Sequence, residues 1–597
     1  QKFSLHLLLS HFIIITVYSS PPLPDGFLHR KKSKEYFELA LPSRSSDHPP
    51  KHACSHRFIR HSFGNTAGNP PVSVRYSPPP DCPAPWSSVI LEVRASCLRG
   101  KQRDRIAAVW LGGAEILRTS TARPTGRPGI FWKARKDVTR YTSLLMRSDL
   151  SLIMMLENVV DRVFTGAYRV EVYLMYYPYV LREFVSTTLF HQKSSPAFNE
   201  RIGLESENAV ADGIPSLDLP ANMVLPISND GGNGFWSTIR SESDMHAKKI
   251  KIPRNTRRAV LELYASSHGD DEFWYSNPPD LYIELNNLTT RRGHGSFREM
   301  YVAIDGSVVA SEIPFPVIFS GGINPLFWEP VVSIGAFDLP SYDIELTPFL
   351  GLLLDGKPHD FRIGIVEAIR YWLVGANLHL WLDQRLEKLC AKSVVSRAPS
   401  PSVKRKFKFN NLNGAFELRG SRLAVASGWV ISGTGNLTTH VVRNLKFRSS
   451  ISFQEDGALK SVKHRIKSKT GMMVVSETGA LVARRSVKRK FPLSVTTHTL
   501  PGKDEGSYLL VTNVSHAMLE KSKAMGEWVG RFGRSVSNAQ DCSGWMAVAK
   551  DGALVSGAAE TRQRLSYREG TECRLRTVAA VNGEVAADST TSCLSSR

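Results

Sequence analysis

Three carboxylates stand where strand-like runs give way to turns. They are Asp104 in CLRGKQRDRIAAVWLGG, Glu157 in LSLIMMLENVV and Glu272 in YASSHGDDEFWYSNPPD. A carboxylate at the mouth of a strand can orient or deprotonate a water that attacks a carbonyl. Arg105, next to Asp104, would keep that carboxylate ionised or bind substrate. Glu272 closes the acidic run Asp270-Asp271-Glu272 and is followed by Phe273, Trp274 and Tyr275. Crowded carboxylates raise one another's pKa, which suits proton donation near neutral pH. Aromatic faces pack against the apolar faces of sugar rings, so Asp271, Trp274 and Tyr275 are candidate substrate-binding residues. Simpler readings stand beside each. Asp104–Arg105 is also what an exposed ion pair looks like, and Glu157 a solvent-facing strand end. The acidic run is also what a solvated turn above core aromatics, or a calcium loop, looks like. The alternating acids of an EF-hand loop are absent. No GxSxG or HExxH motif occurs, and the Gly-rich GNPP, SNDGGNG and RRGHGS link no strand to a helix.

The elements that must hold these residues read as β-structure. SVILEVRASC, RIAAVWLGGAEIL, LSLIMMLEN and AYRVEVYLMYYP form a first block of strands between turns, over about 51–185. RRAVLELYASS, DLYIELNNL, REMYVAIDGSVVA, YDIELTPFL and ANLHLWLD form a second over about 223–390, with Asp305-Gly306 as a tight-turn signal. The reading is all-β: two adjacent jelly-roll or β-sandwich domains plus a C-terminal β-rich region over 406–597. A polar linker is expected at 186–222 and an exposed basic linker, open to proteolysis, at 391–405. Cut there, the two fragments would stay associated. Ligand sites often lie between such domains, and a site there would gather Asp104 and Glu157 from one block and Glu272 from the other.

A chain of 597 residues exceeds one hydrophobic core. Its 42% apolar and 22% charged residues are ordinary for a globular protein. The net charge of +21 would suit an anionic partner. The basic runs HRKKSK, VKRKFKF and ARRSVKRKF read instead as solvated or linker segments, and no nucleic-acid motif accompanies them. LHLLLSHFIIITVYSS has the length of a secretory signal core, giving a signal peptide over 1–20, then a Pro/Ser-rich propeptide or flexible arm over 21–50. No later stretch is long and apolar enough to span a membrane. Sequons at Asn287, Asn436 and Asn513 agree with secretion. Among seven cysteines there is no CxxC pair, and disulfides are expected within 54/82/97 and within 542/573/593.

Longer motifs carry a resemblance. CSHRFIRHSFGNTAGNPPVSVRYSPPPDCP, DRIAAVWLGGAEILRTSTARP, DEFWYSNPPD, FREMYVAIDG and PFPVIFSGGINPLFWEPVVSIGAFDLPSYDIELTPFLGLLLDGKPH closely resemble the plant peptide-N-glycosidase A family. The match runs from about Tyr36 to Asp383 and continues more weakly to the C-terminus. The resemblance implies hydrolysis of the amide joining N-acetylglucosamine to asparagine in glycopeptides or denatured glycoproteins. Asparagine becomes aspartate and the intact glycan leaves as a glycosylamine. It also implies a secretory, extracellular or vacuolar setting and no cofactor. The more distant bacterial peptide-N-glycosidase F has two jelly rolls with its site between them. Similarity to it gives Asp104 the main catalytic role, Arg105 a supporting one, and further roles to Glu157 and Glu272. The pattern departs at Arg103 and Val159, where the bacterial enzyme carries tryptophans. No matching substrate-binding arginine follows Trp328-Glu329-Pro330. The alternative is a secreted, non-catalytic glycan-binding protein, which would not need Asp104. A basic structural or cell-wall adhesion protein is a third reading.

Overall fold

The computed structural model describes residues 33–40, 54–126, 128–178, 219–228, 236–526, 530–570 and 572–592. The expected signal peptide lies outside them.

The first sandwich contains β1 (Lys34–Tyr36), β2 (Cys54–Phe63), β3 (Val72–Tyr76), β4 (Trp86–Cys97), β5 (Ile106–Leu111), β6 (Ala114–Ser120), β7 (Ile130–Asp137), β8 (Leu150–Leu156) and β9 (Tyr168–Pro178). One sheet runs β1-β7-β4-β9-β2 and the other β3-β8-β5-β6. In β9 every second residue from Tyr168 to Tyr176 is buried, as a strand with one face on a core requires. Between the sheets lie Val89, Leu91, Val93, Val109, Leu111, Leu152, Met154, Val170 and Val172. Cys54 and Cys82 form a disulfide, whereas Cys97 is a buried thiol. Cys573 is disulfide-bonded. Cys542 is not: it is buried with a free thiol.

The second sandwich contains β10 (Met223–Ile227), β11 (Ser237–Ile239), β12 (Met245–Lys251), β13 (Thr256–Ser267), β14 (Glu299–Ile304), β15 (Ser307–Glu312), β16 (Ser341–Glu345), β17 (Pro358–Val366) and β18 (Trp372–Leu382). Its sheets run β10-β18-β13-β16, with β11 also on β18, and β12-β17-β14-β15. The Asp305-Gly306 turn joins β14 to β15 with φ of 47° and 81°, the left-handed pair a two-residue hairpin needs.

A third block follows, a single sheet called the third sheet below: β19 (Cys390–Arg397), β20 (Ser402–Asn410), β21 (Asn413–Ser432), β22 (Gly435–Gln454), β23 (Leu459–Ser476), β24 (Leu481–Pro501), β25 (Tyr508–Gly526), β26 (Gly530–Val548), β27 (Leu554–Glu569), β28 (Glu572–Val581) and β29 (Glu584–Ser592). From β21 onward each strand pairs with the next, a meander of unusually long strands. Its inner face is continuous with the second sandwich: Phe416, Phe447, Ile451, Phe491 and Val514 share one core with Phe273, Phe315, Phe327 and Trp328.

Two expectations are corrected here. Residues 391–405 are not a linker. They run through β19 and into β20, both hydrogen-bonded to β21. Their charged side chains are exposed, but alternate-facing charge on an edge strand is compatible with pairing. Residues 33–40, expected within a flexible arm, are built into the molecule. β1 pairs in parallel with β7, Phe37 exchanges backbone hydrogen bonds with Pro330 and Val332, and Glu38 accepts from the amides of Gly335, Phe337 and Asp338. Leu39 is wholly buried against Val536, Leu565, Tyr567 and Val578.

The two sandwiches meet across a buried polar seam. Glu115 and Arg118 form a two-pronged ion pair (2.6 and 2.8 Å), and Arg118 also donates to Ser266 Oγ (3.1 Å) and Leu373 O (2.7 Å). Asn377 donates to Glu115 O (2.7 Å). Glu262 has no exposure and accepts from Tyr141 (2.5 Å). Burial works against its charge, yet Arg140, His379 and Lys136 hold its carboxyl well below the usual range. A seam so fully paired fixes one relative placement of the sandwiches, because any shift leaves buried charge unpaired.

Candidate active site

Asp104 and Glu157 are carried by neighbouring strands. Asp104 sits just before β5 and Glu157 just after β8. Ala107 pairs with Leu156, so both carboxylates leave the same end of the sheet. Asp104 is half-buried and Glu157 exposed, with the Gly68 amide 3.4 Å from Glu157 Oε1.

Glu272 arrives from the other sandwich. Beyond β13 and β18, His268 and Tyr371 exchange backbone hydrogen bonds (2.9 and 3.1 Å), extending the ladder by one pair. A 3₁₀ turn over Gly269–Asp271 then delivers Glu272. Gly269 makes this turn at φ +59°, and a Cβ there would lie 3.2 Å from Arg370 O.

Tyr371 bridges the two sides. It packs against the cluster of Ala108, Trp110, Ile153 and Met155 on the strands that carry Asp104 and Glu157. Burial raises its hydroxyl pKa, and the charges of Glu157 and Glu272 raise it further. The ring of His268 stacks on Tyr371 (5.5 Å) and Phe319 (5.4 Å), and its Nε2 lies 2.8 Å from Ser266 Oγ. Burial, then Arg118, pushes His268 down to about 3, so it is neutral at physiological pH.

The segment Gly321-Gly322 threads between the carboxylates' supports. A Cβ on Gly321 would lie 2.4 Å from Asp104 Oδ1, and one on Gly322 would lie 3.1 Å from the Phe273 ring. The Arg292 guanidinium stands over the Phe273 ring, 4.9 Å from its centre. Arg292 Nη1 and Tyr275 Oη are both shielded from solvent and have no hydrogen-bond partner among the described residues. Lys460, from the third sheet, reaches Ser276 Oγ (3.4 Å), and burial with the charge of Arg292 lowers it to about 7.

The electrostatics single out Glu272. Burial, and after it the charge of Asp104, raise its carboxyl to about 8 against the opposing charge of Arg292. Below that pH Glu272 holds a proton, as a general acid must.

Not every expected residue joins them. Asp271 is wholly buried. It takes Arg298 Nε and Nη2 (2.8 and 2.7 Å), Trp372 Nε1 (2.6 Å) and the Ile369 amide (3.1 Å), so it is a structural anion and not a substrate contact. Trp274 is 1% exposed and packs edge-on to His464, so it offers no platform for a sugar. Tyr275 is equally buried, but its bare hydroxyl stays beside Glu272, whose charge, after burial, raises its pKa. Arg105 donates to Gln102 Oε1 (3.1 Å) and lies close enough to Tyr371 to influence its titration. Asn287 and Asn513 are exposed; Asn436 is half-buried, with Oδ1 shielded and unpaired. Residues that sequence reading passed over are His268, Gly321, Arg292, Tyr371 and Lys460. The adjacent glycines of FSGGIN and the arginine pair of TTRRGHG were the visible signals. A large cleft of about 1530 Å³ lies elsewhere, lined by Tyr36–Leu39, β7 and the third sheet, and includes none of the three carboxylates.

Residues 42–399 match the family model described as peptide N-acetyl-beta-D-glucosaminyl asparaginase amidase A. The chain belongs to this family. It is 39% identical over 559 residues to peptide-N4-(N-acetyl-beta-glucosaminyl)asparagine amidase A of Prunus dulcis, covering 93% of this chain and 92% of that one. Among solved structures, recombinant peptide:N-glycanase F (PNGase F) is 15% identical with a TM-score of 0.33, over 55% of this chain and 96% of that one. PNGF-II is 10% identical with a TM-score of 0.34, over 56% and 66%. In this member of the amidase A family, Asp104, Glu157 and Glu272 all fall inside the matched residues.

Proposed function

We propose that the chain is a peptide-N-glycosidase that hydrolyses the amide between N-acetylglucosamine and asparagine. Family membership and the Prunus dulcis amidase support the reaction class. What supports the site is that the Gly321-Gly322 segment lies against both the Asp104 carboxyl and the Phe273 ring that follows Glu272, and that burial and the charge of Asp104 raise Glu272 to about 8.

Asp104 orients a water and takes its proton as the oxygen attacks the asparagine carbonyl carbon. The C–N bond then breaks, and Glu272 gives its proton to the leaving nitrogen, which departs on the glycan as a glycosylamine. The peptide keeps a carboxyl, so asparagine becomes aspartate. The proton on Asp104 is lost to solvent and Glu272 is reprotonated, which closes the cycle. Glu157, Tyr371 and Arg105 form the rim that would hold the first sugar. The substrates are N-glycosylated peptides or denatured glycoproteins, met in the secretory pathway, vacuole or extracellular space.

The test is release of glycan from a short glycopeptide at about pH 5, wild type against Asp104→Asn, read by mass spectrometry. Free glycan with a one-dalton gain on the peptide, absent in the variant, is expected. Binding without release by well-folded wild type would instead make the chain a lectin. A fusion of residues 1–20 to a reporter tests the secretory setting: a reporter retained in the cytosol would sink it.

A further inference from the structure

The third sheet has two faces with opposite chemistry. The inner one packs on the second sandwich. The outer one carries cations in rows that run across the strands. Arg419 pairs with Arg448 and Arg448 with Arg465. Lys446 pairs with Lys467 and Lys467 with Lys490. Lys469 pairs with Lys488 and Lys488 with Lys521. All nine are exposed. Arg419 has a carboxylate at 3.1 Å, Glu417; no other ion pair to these side chains occurs among the described residues.

Directly opposed side chains on adjacent strands sit close enough that like charges there repel, and such pairs are ordinarily avoided. Scattered surface lysines would not produce this pattern: three consecutive rows place like charge opposite like charge, at ~4.8 Å between strands and ~7 Å along them. Repulsion on this scale is relieved when a partner brings matching negative charge.

We infer that the outer face of β21–β25 binds a linear polysaccharide bearing a carboxylate on each sugar. A row of cations one strand apart offers a charge about every sugar length, and neighbouring rows give a second track. The rows hold no aromatic ring on which a nucleobase could stack, as single-stranded nucleic acid binding uses. They sit on a broad sheet with no helix projecting to enter a duplex groove. The face lies on the opposite side of the sheet from the one that brings Lys460 to the candidate active site, so binding there leaves that site open. The inference does not depend on the proposed amidase activity.

The test uses the full chain and sedimentation with polygalacturonate. Fully methyl-esterified polygalacturonate, a single-stranded oligonucleotide and vesicles containing anionic lipid run in parallel. The row variant Lys446→Glu/Lys467→Glu/Lys490→Glu is compared with Lys133→Glu/Lys249→Glu/Lys251→Glu, which makes the same change in net charge on other elements. We expect wild type to bind polygalacturonate, to lose it on esterification and to weaken steeply with salt. The row variant should weaken by more than about tenfold, because each lost contact removes released counterions from the binding. The control variant should weaken far less. Both should keep the wild-type melting temperature and glycopeptide turnover, which shows that each is folded. Equal weakening by both variants would reduce the effect to bulk charge and overturn the site. Tighter row-dependent binding to the oligonucleotide or the vesicles would overturn the polysaccharide.

Discussion

Glu272 and its neighbour Asp271 show how one acidic run divides its labour. Burial and the charge of Asp104 raise the first to about 8, so that it keeps a proton below that pH; the second is sealed into the core by Arg298 and Trp372. Asp104→Asn should lower turnover by ~10²–10⁴-fold or more, the scale of losing a general base, with the thermal midpoint unchanged. Glu272→Gln should remove the alkaline limb of the pH profile. In the wild type, the proton donor is present below about pH 8 and is lost as pH rises through it. The same shift has a stability sign. The folded state keeps a proton that the unfolded chain releases near its ordinary carboxylate pKa, so stability falls as pH rises from that value to about 8. Denaturant midpoints measured across this range should slope in the wild type and slope less in Glu272→Gln. Asp271→Ala should instead cost ~3–5 kcal/mol in a denaturation experiment, the scale of leaving a buried partner unpaired. A stable, inactive Asp271→Ala would return that residue to the substrate site.

Strand ends, and one irregular segment, set the geometry between these groups. β5 and β8 carry two carboxylates to one edge because they pair with Ala107 opposite Leu156, and IAAVWL and LSLIMML are buried on both faces, which holds that register. Gly321 is the weak point of this arrangement. An added Cβ meets the end of the Asp104 side chain and not backbone, so the carboxylate can swing away. Gly321→Ala should therefore leave the melting temperature nearly intact while reducing kcat strongly. Equal loss of both would mean that the loop itself is rebuilt. Much at this level was legible. Most hydrophobic runs named strands, and Asp305-Gly306 named its hairpin, but DLYIELNNL, expected as a strand, begins with a short helix over Asp280–Leu285 and pairs with no sheet. Residues 391–405 were misread because their Ser, Pro and Lys content is that of an exposed loop. On an edge strand of an extended sheet those residues are tolerated, and the pairing comes from β21, which sequence composition does not display.

The two sandwiches and the C-terminal sheet behave as one body. A short N-terminal segment is hydrogen-bonded to the first sandwich and to the loop that carries Gly321, and it buries Leu39 against the third sheet. Leu39→Ala should cost ~2–5 kcal/mol, the range for emptying a fully buried leucine site, measured by chemical denaturation. Loss near zero would show that the segment merely rests on the surface. The all-β class, the order of the blocks and the carboxylates at strand ends were written in local patterning, because alternation and turn chemistry are properties of neighbouring residues. Long motifs carried the family in the same way. Which acid of the Asp270–Glu272 run faces Asp104, which aromatic is core, and that Arg292, Tyr371 and Lys460 approach the same place were not. Those depend on contacts between residues far apart in the chain, and burial and charge at a site are set by what the fold packs around it.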